Sequence, residues 1–253
     1  MLDYKQKILI EKAARDAGVE ISVADEPAGA RFRSSLVPGE LAIDLVDGRY
    51  RIAIQSDLVM RELVSNFLPQ RKDCKVDGNA IIGVGTLALQ DLAERIFQLS
   101  MALPSKPLDL FRTRVAAMPA TTEVERLVIQ RAGQDIFRDA LDRYWVGKCA
   151  VTGVSDRALL RASHILPWSE CERDDQRLDV FNGILLVAHL DAAFDAALLS
   201  FDESGMPMLS PLLSKEATNM LDYSLMGQAV ALTDRHQAYL QQHRLRFQTL
   251  ARS

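Results

Sequence analysis

The sequence lacks long hydrophobic runs, has few cysteines and has no excess of positive charge, and each absence excludes a class of protein. No apolar stretch approaches the roughly 20 residues needed to span a bilayer, and the charged N-terminus is unlike the apolar segment of a signal peptide. Its three cysteines, Cys74, Cys149 and Cys171, are too few and too widely spaced for a disulfide framework. The composition therefore predicts a cytoplasmic protein without a membrane partner.

The charge balance excludes a protein that coats DNA without specificity. The 253 residues include 30 Lys and Arg against 34 Asp and Glu, a net charge of −4, whereas such a protein would be basic. The balance still permits an enzyme that binds phosphates through a local basic strip and a bound cation. With 48% hydrophobic residues the chain can bury a core, and its length suits one large domain or two small ones.

The residue patterns predict a boundary near residue 118. Before it, we expect a helix over 3–17, a hairpin about Asp47-Gly48 and further helices over 56–67 and 86–103. Residues 118–121 are the best linker candidate. Thr122 and Glu125 then fit a capping box that starts a helix ending near Tyr144. The predicted domains are 1–117, a recognition or regulatory domain, and 118–253, which carries the chemistry.

The chemistry is concentrated in residues 149–202. His164 lies between short apolar segments, and Asn182 precedes a second apolar strand. Asp191 and Asp195 are four residues apart in a predicted helix, so both project from one face. Two such carboxylates can hold Mg²⁺ or Mn²⁺, and a neutral histidine can take a proton from water. Together these groups are sufficient for metal-assisted hydrolysis of a phosphodiester.

The order of strand, histidine, loop, asparagine, strand and helix resembles the HNH endonucleases of bacterial restriction type, whose active site is a ββα-metal finger. The resemblance covers about residues 122–210. Its most specific segments are CAVTG (149–153), LRASHI (160–165), PW (167–168), RLDVFNG (177–183) and HLDAAFD (189–195). No family resemblance is found for residues 1–117.

The resemblance implies a role for each matching residue. His164 matches the general base, Asn182 the asparagine that orients the site, and Asp191 and Asp195 the two ligands on the helix. Many family members have Asp, Glu or His where this chain has Ser163, a weak ligand, and Asp191 replaces the usual histidine. Carboxylates in place of imidazoles favour Mg²⁺ or Mn²⁺ over Zn²⁺. A structural zinc is not expected, because the chain has no Cys-x-x-Cys pair.

Other interpretations of these residues stay open from the sequence. His164 could be a buried structural histidine, and the two aspartates could belong to a solvated face. His189 could be a ligand, an outer hydrogen-bond donor or a surface residue. Arg161, near the predicted base, could contact phosphate or form a salt bridge. The C-terminal helix has a mildly basic end that could lie along DNA, although packing on the finger is the stronger interpretation.

The sequence thus predicts an α+β protein with an N-terminal α/β recognition domain and a C-terminal helical domain that carries the finger. The predicted activity is metal-dependent hydrolysis of double-stranded DNA by an HNH endonuclease, with catalytic residues His164, Asn182 and Arg161. The expected metal site comprises Asp191, Asp195, His189 and Ser163. Restriction or defence is the expected role, and a homodimer would place two fingers on opposite strands. The alternative is a non-catalytic DNA-binding or ligand-sensing module that retains the finger.

Overall fold

The computed structural model describes residues 2–71, 74–119, 121–225 and 229–251. The chain divides into two compact units, residues 1–103 and 104–253. The described residues combine helices with sheets whose strand pairs are antiparallel, which confirms the predicted α+β class. None of the described helices is both long and apolar enough to cross a membrane.

The N-terminal unit is built on a six-stranded antiparallel sheet. Its strands are β1 (Ile21–Glu26), β2 (Gly29–Arg33), β3 (Glu40–Val46), β4 (Arg49–Ile54), β5 (Lys75–Asp77) and β6 (Ala80–Val84), in the order β1-β2-β3-β4-β6-β5. Its helices are α1 (Tyr4–Asp16), α2 (Asp57–Glu62) and α3 (Thr86–Ala102), and a π-helical turn, Leu63–Phe67, extends α2. Because every strand pair is antiparallel, this unit is α+β, which corrects the expected α/β organisation.

The turn chemistry of the predicted hairpin explains how β3 joins β4. Asp47 and Gly48 both have positive φ, 50° and 75°. This is the requirement of the two-residue turns that match the twist of paired strands. At one edge of the sheet β1 is almost wholly exposed, and its burial pattern shows no alternation of buried and exposed positions. The hydrophobic pattern of so short an exposed strand is weak, and β1 is not among the predicted elements.

The C-terminal unit surrounds a short antiparallel pair of strands with helices. The helices are α4 (Lys106–Val115), α5 (Glu123–Tyr144), α6 (Asp174–Arg177), α7 (Ala188–Asp195), α8 (Lys215–Leu225) and α9 (Asp234–Leu250). The strands are β7 (Leu160–His164) and β8 (Gly183–Val187), which pair with each other, and β9 (Leu199–Phe201) and β10 (Pro207–Leu209), which form a hairpin. Strands β7 and β8 followed by α7 give the ββα order.

The structural division at Leu103 and Pro104 differs from the predicted boundary near residue 118. The helix α4, which lies between the two positions, packs on α5 and therefore belongs to the C-terminal unit. The predicted capping box is present, since Thr122 accepts from the N–H of Glu125 and Glu125 accepts from the N–H of Thr122. Residue 120 of the expected linker lies outside the described residues.

Glycines let α5 pack closely against the finger. A Cβ built on Gly183, at the start of β8, would come within 2.5 Å of the Phe137 ring and 2.8 Å of Leu141. A Cβ on Gly133, within α5, would come within 2.6 Å of the Trp168 ring. All three distances are shorter than van der Waals contact, so α5 can approach β8 and the loop that carries Trp168 only because positions 133 and 183 have no side chain.

We expect Gly183→Ala to destabilise the protein by about 1–3 kcal/mol, because the added methyl group overpacks a fully buried contact. Urea unfolding measures this change. Gly85→Ala is the matched control, since no heavy atom lies within 4 Å of its Cβ position and its φ of −75° suits alanine. Equal stability of the two variants would show that α5 does not pack against β8 as described.

Two buried histidines of α9 are held in their neutral form. The Nδ1 atom of His236 accepts the N–H of Thr233 at 3.1 Å, and burial lowers the pKa of His236 to about 3. The Nε2–H of His243 donates to the carbonyl of Phe194 at 2.9 Å while Nδ1 accepts from the hydroxyl of Ser200. Burial lowers the pKa of His243 to about 4. The ordinary value of 6.5 applies to both in the unfolded chain.

These two pKa values predict that the protein loses stability in acid. Between about pH 6.5 and pH 4 the unfolded chain binds protons that the folded chain excludes, so the free energy of unfolding falls as the pH falls. Each histidine contributes a slope of about 1.4 kcal/mol per pH unit in that window. His236→Asn retains an acceptor for Thr233 and should reduce the slope by that amount in urea titrations at pH 7, 6 and 5. An unchanged slope would contradict the neutral assignment.

Candidate active site

The two strands of the finger bring His164 to the floor of a cleft in the C-terminal unit. The end of β7 carries His164, which pairs in register with Gly183 at the start of β8. The cleft measures about 350 Å³, and its lining residues come from β7, the following loop, α7 and α9. They are Ala162, Ser163, His164, Pro167, Trp168, Asp195, His243 and Arg246.

The His164 ring is fixed in one orientation and one tautomer. It stacks on Phe137, with centroids 3.7 Å apart, and meets the edge of Trp168 at 5.6 Å. Its Nε2 atom lies 2.9 Å from the carbonyl of Arg177. A carbonyl only accepts hydrogen bonds, so in the neutral ring Nε2 carries the proton and Nδ1 has the free lone pair. No described residue makes a hydrogen bond to Nδ1, which is therefore available to take a proton.

Burial sets the charge of His164. It lowers the pKa of His164 to about 4, although the bond to the Arg177 carbonyl acts in the opposite direction. The imidazole is thus neutral at physiological pH, the form a general base requires. An anion bound beside the ring would raise the pKa, because a negative charge favours the imidazolium.

Asn182 ties the loop between the two strands to the finger. Its Oδ1 accepts from the N–H of Leu166 at 2.8 Å, and its Nδ2 donates to the carbonyls of Leu166 and Gln176 at 3.2 and 3.1 Å. Asn182 is fully buried. Since Gln176 precedes Arg177, this amide fixes the turn whose carbonyl sets the tautomer of His164. The asparagine thus positions the base through the loop and does not touch the cleft wall described above.

The two aspartates of α7 lie close enough to repel each other. Burial raises the pKa of Asp195, the negative charge of Asp191 raises it further, and Arg246 lowers it. The hydroxyl of Ser163, which is buried, donates a short hydrogen bond to Asp191. Ser163 was predicted as a weak metal ligand, but the structure gives it an orienting contact to the carboxylate of Asp191.

Within the described part of the chain, no three His, Cys, Asp or Glu side chains are grouped so that they could hold a metal ion. Asp195 lines the cleft, and Asp191 lies near enough for its charge to raise the pKa of Asp195. Mg²⁺ commonly binds through one or two carboxylates and completes its shell with water and substrate phosphate oxygens. The like charges of Asp191 and Asp195, which destabilise each other without a cation, fit such an ion.

The structure does not bring His189 or Arg161 into this cleft. His189 is exposed, and its Nε2 lies 2.8 Å from the Ser224 hydroxyl in a separate pocket of about 300 Å³. Two residues along a helix point to nearly opposite sides, so His189 cannot share the face of Asp191. Arg161 donates to the carbonyls of Ala158 and Leu160. The structure thus does not bring these two residues together with His164, and their roles remain predictions.

Arg246 is the arginine that the cleft contains, and the sequence did not identify it. Its Nη2 donates to the carbonyl of Ile165 at 2.8 Å, next to the predicted base. The sequence does indicate a mildly basic end for the C-terminal helix, α9. Its position could not be derived, because 81 residues separate Arg246 from Ile165 along the chain.

Comparison with known proteins agrees with this ββα arrangement. Residues 149–202 match the model of the HNH endonuclease family, and the matched segment contains His164, Asn182, Asp191 and Asp195. This part of the chain is therefore similar to the HNH endonuclease family, which implies nuclease activity in general. No curated protein matches the chain.

Proposed function

We propose that this protein is a metal-dependent endonuclease that hydrolyses phosphodiester bonds of double-stranded DNA. The observation that carries the proposal is the fixed tautomer of His164, whose Nε2–H bonds the Arg177 carbonyl. Nδ1 is left free beside a cleft that also contains Asp195. Metal-assisted hydrolysis of a phosphodiester requires a base that accepts a proton from water and ligands that hold a cation. The neutral histidine and the carboxylate pair provide these groups.

Each residue then has one task in the reaction. His164 takes a proton from a water molecule at Nδ1, and the resulting hydroxide attacks phosphorus in line with the leaving 3′-oxygen. Asn182 keeps the loop and the ring in place. Asp191 and Asp195 would hold Mg²⁺ or Mn²⁺, and Ser163 keeps the carboxylate of Asp191 oriented. When bound, the cation supplies charge stabilisation at a non-bridging phosphate oxygen and at the leaving oxygen.

The biological role we propose is restriction or defence, with specificity set by the N-terminal unit. The catalytic cleft uses residues of the C-terminal unit alone, which leaves the six-stranded sheet unit available for recognition. In a homodimer, two fingers would lie on opposite strands of the duplex, and we include this arrangement in the proposal.

The experiment that tests this proposal compares cleavage of end-labelled duplex DNA, single-stranded DNA and RNA of the same sequence. Each DNA is tested both unmodified and methylated. We expect cleavage of duplex DNA in Mg²⁺ or Mn²⁺ that leaves a 5′-phosphate and a 3′-hydroxyl. Cleavage of RNA alone would contradict the DNA substrate. Equal cleavage of every DNA, methylated or not, would contradict a restriction role.

A specific observation favours the second candidate, a DNA-binding or ligand-sensing module that does not cut. The hydroxyl of Ser163 occupies a position where many HNH members have a metal ligand, and the described residues provide no three-ligand group. This candidate predicts that the folded protein binds DNA equally well with and without a divalent cation and leaves it intact. Metal-dependent cleavage would exclude it.

A further inference from the structure

The helix α9 contributes two side chains to the wall of the catalytic cleft although it lies outside the matched HNH segment. His243 is buried and stacks on Phe194, with centroids 3.9 Å apart. Both of its ring nitrogens have partners, at Ser200 and Phe194. His243 therefore anchors the helix, and Arg246, three residues further on the same face, is the polar group that remains for a ligand.

Arg246 retains capacity to donate hydrogen bonds in the free protein. Its Nη2 donates to the carbonyl of Ile165 at 2.8 Å, and its Nη1 lies 3.5 Å from Glu170. The second contact is at the limit of a hydrogen bond and involves a half-exposed carboxylate, so it contributes little free energy. The Nε atom is buried and has no partner among the described residues.

The positive charge of Arg246 lies in the cleft that also contains His164 and Asp195. It lowers the pKa of both Asp195 and His243, and its bond to Ile165 fixes it beside the residue that follows His164. About a third of the side chain, 34%, is exposed. A phosphate that entered the cleft would therefore meet a guanidinium, the group whose planar fork matches phosphate oxygens.

We propose that Arg246 binds the scissile phosphate of DNA and stabilises the negative charge that develops on it during cleavage. This proposal rests on the proposed nuclease function. The phosphate displaces Glu170 from Nη1, whereas the bond from Nη2 to the Ile165 carbonyl holds the guanidinium beside the residue that follows His164. Arg161, the arginine that the sequence suggested for this task, donates instead to the carbonyls of Ala158 and Leu160.

The test compares Arg246→Gln and Arg246→Lys with a matched control, Arg244→Gln. Arg244 lies on the same helix and also donates to a carbonyl, that of Phe201 at 3.2 Å, but it does not line the cleft. We expect Arg246→Gln to reduce single-turnover cleavage by about 10²–10³-fold. Arg246→Lys should restore part of the rate, and Arg244→Gln should cleave as the wild type does.

A second readout separates phosphate contact from a structural role. Binding of a short DNA duplex is measured in EDTA as a function of salt concentration. Loss of one phosphate contact should reduce the slope of log K against log salt by about 0.9. We expect this loss in Arg246→Gln and not in Arg246→Lys or Arg244→Gln.

The outcomes distinguish the two proposals. If the wild type cleaves DNA and Arg246→Gln matches Arg244→Gln in rate and in salt slope, the role of Arg246 is overturned and the nuclease stands. If the wild type binds DNA without cleaving it and Arg246→Gln alone loses salt slope, the phosphate contact stands and the nuclease function fails. A wild-type chain that neither binds nor cleaves DNA would contradict both proposals.

Discussion

His164→Gln is expected to reduce DNA cleavage by about 10²–10⁴-fold, the contribution typical of a positioned general base. Glutamine can still donate to the carbonyl of Arg177, which holds Nε2 in the wild type at 2.9 Å, but it offers no basic nitrogen in place of Nδ1. The variant should therefore fold and bind DNA normally while it fails to activate water. Single-turnover cleavage at saturating protein concentration measures the chemical step alone.

Rescue by a small base provides the control for this result. His164→Ala leaves a space beside Phe137, on which the wild-type ring stacks, and added imidazole should restore part of the cleavage rate. The rescue should grow with pH as more imidazole becomes neutral. Full activity of His164→Gln, with folding verified by thermal unfolding, would remove the general-base assignment.

Asp191→Asn and Asp195→Asn are expected to weaken metal binding and to reduce cleavage by more than the 10–100-fold that loss of an outer partner typically costs. Each amide keeps the size of the carboxylate and removes a charge from the pair. Ser163→Ala, which removes only the hydrogen bond to Asp191, should fall within about that 10–100-fold range. Mn²⁺ titration by calorimetry measures affinity, and cleavage at saturating Mn²⁺ measures activity.

In the absence of metal, the same two substitutions, Asp191→Asn and Asp195→Asn, should stabilise the protein. Because Asp191 and Asp195 repel each other, removing one charge should raise the free energy of unfolding by about 0.2–0.5 kcal/mol in EDTA. His189→Ala, whose side chain bonds Ser224 in a separate pocket, should leave Mn²⁺ affinity unchanged. If His189→Ala weakened Mn²⁺ binding and Asp191→Asn did not, the ligand assignment would be wrong.

Elements marked by local signals, in both units, were predictable from the sequence. The capping box at Thr122 and Glu125 marks the start of α5, and Asp47-Gly48 marks a hairpin. The i,i+4 spacing placed Asp191 and Asp195 together because helix geometry alone fixes that relation. The same geometry places His189, two residues from Asp191, on a different face of the helix, so its predicted ligand role does not follow from the aspartate pair.

Features that depend on contacts between distant residues were not predictable. Arg246 reaches the cleft because α9 packs against β9 and against the turn before β8, and no local pattern encodes that approach. The orienting role of Ser163 likewise requires α7 to lie against β7, which brings the hydroxyl to Asp191 across 28 residues. The unit boundary also depends on packing, since α4 contacts α5 and so joins the C-terminal unit.

The most direct test of the central claim is cleavage of supercoiled plasmid by the full chain in Mg²⁺, in Mn²⁺ and in EDTA, with His164→Gln alongside. We predict nicked and linear products in one or both metals, none in EDTA, and a loss of about 10²–10⁴-fold in the variant. An intact plasmid under every condition, with the protein folded and metal bound, would contradict the proposed nuclease. Cleavage that His164→Gln retains in full would contradict the mechanism.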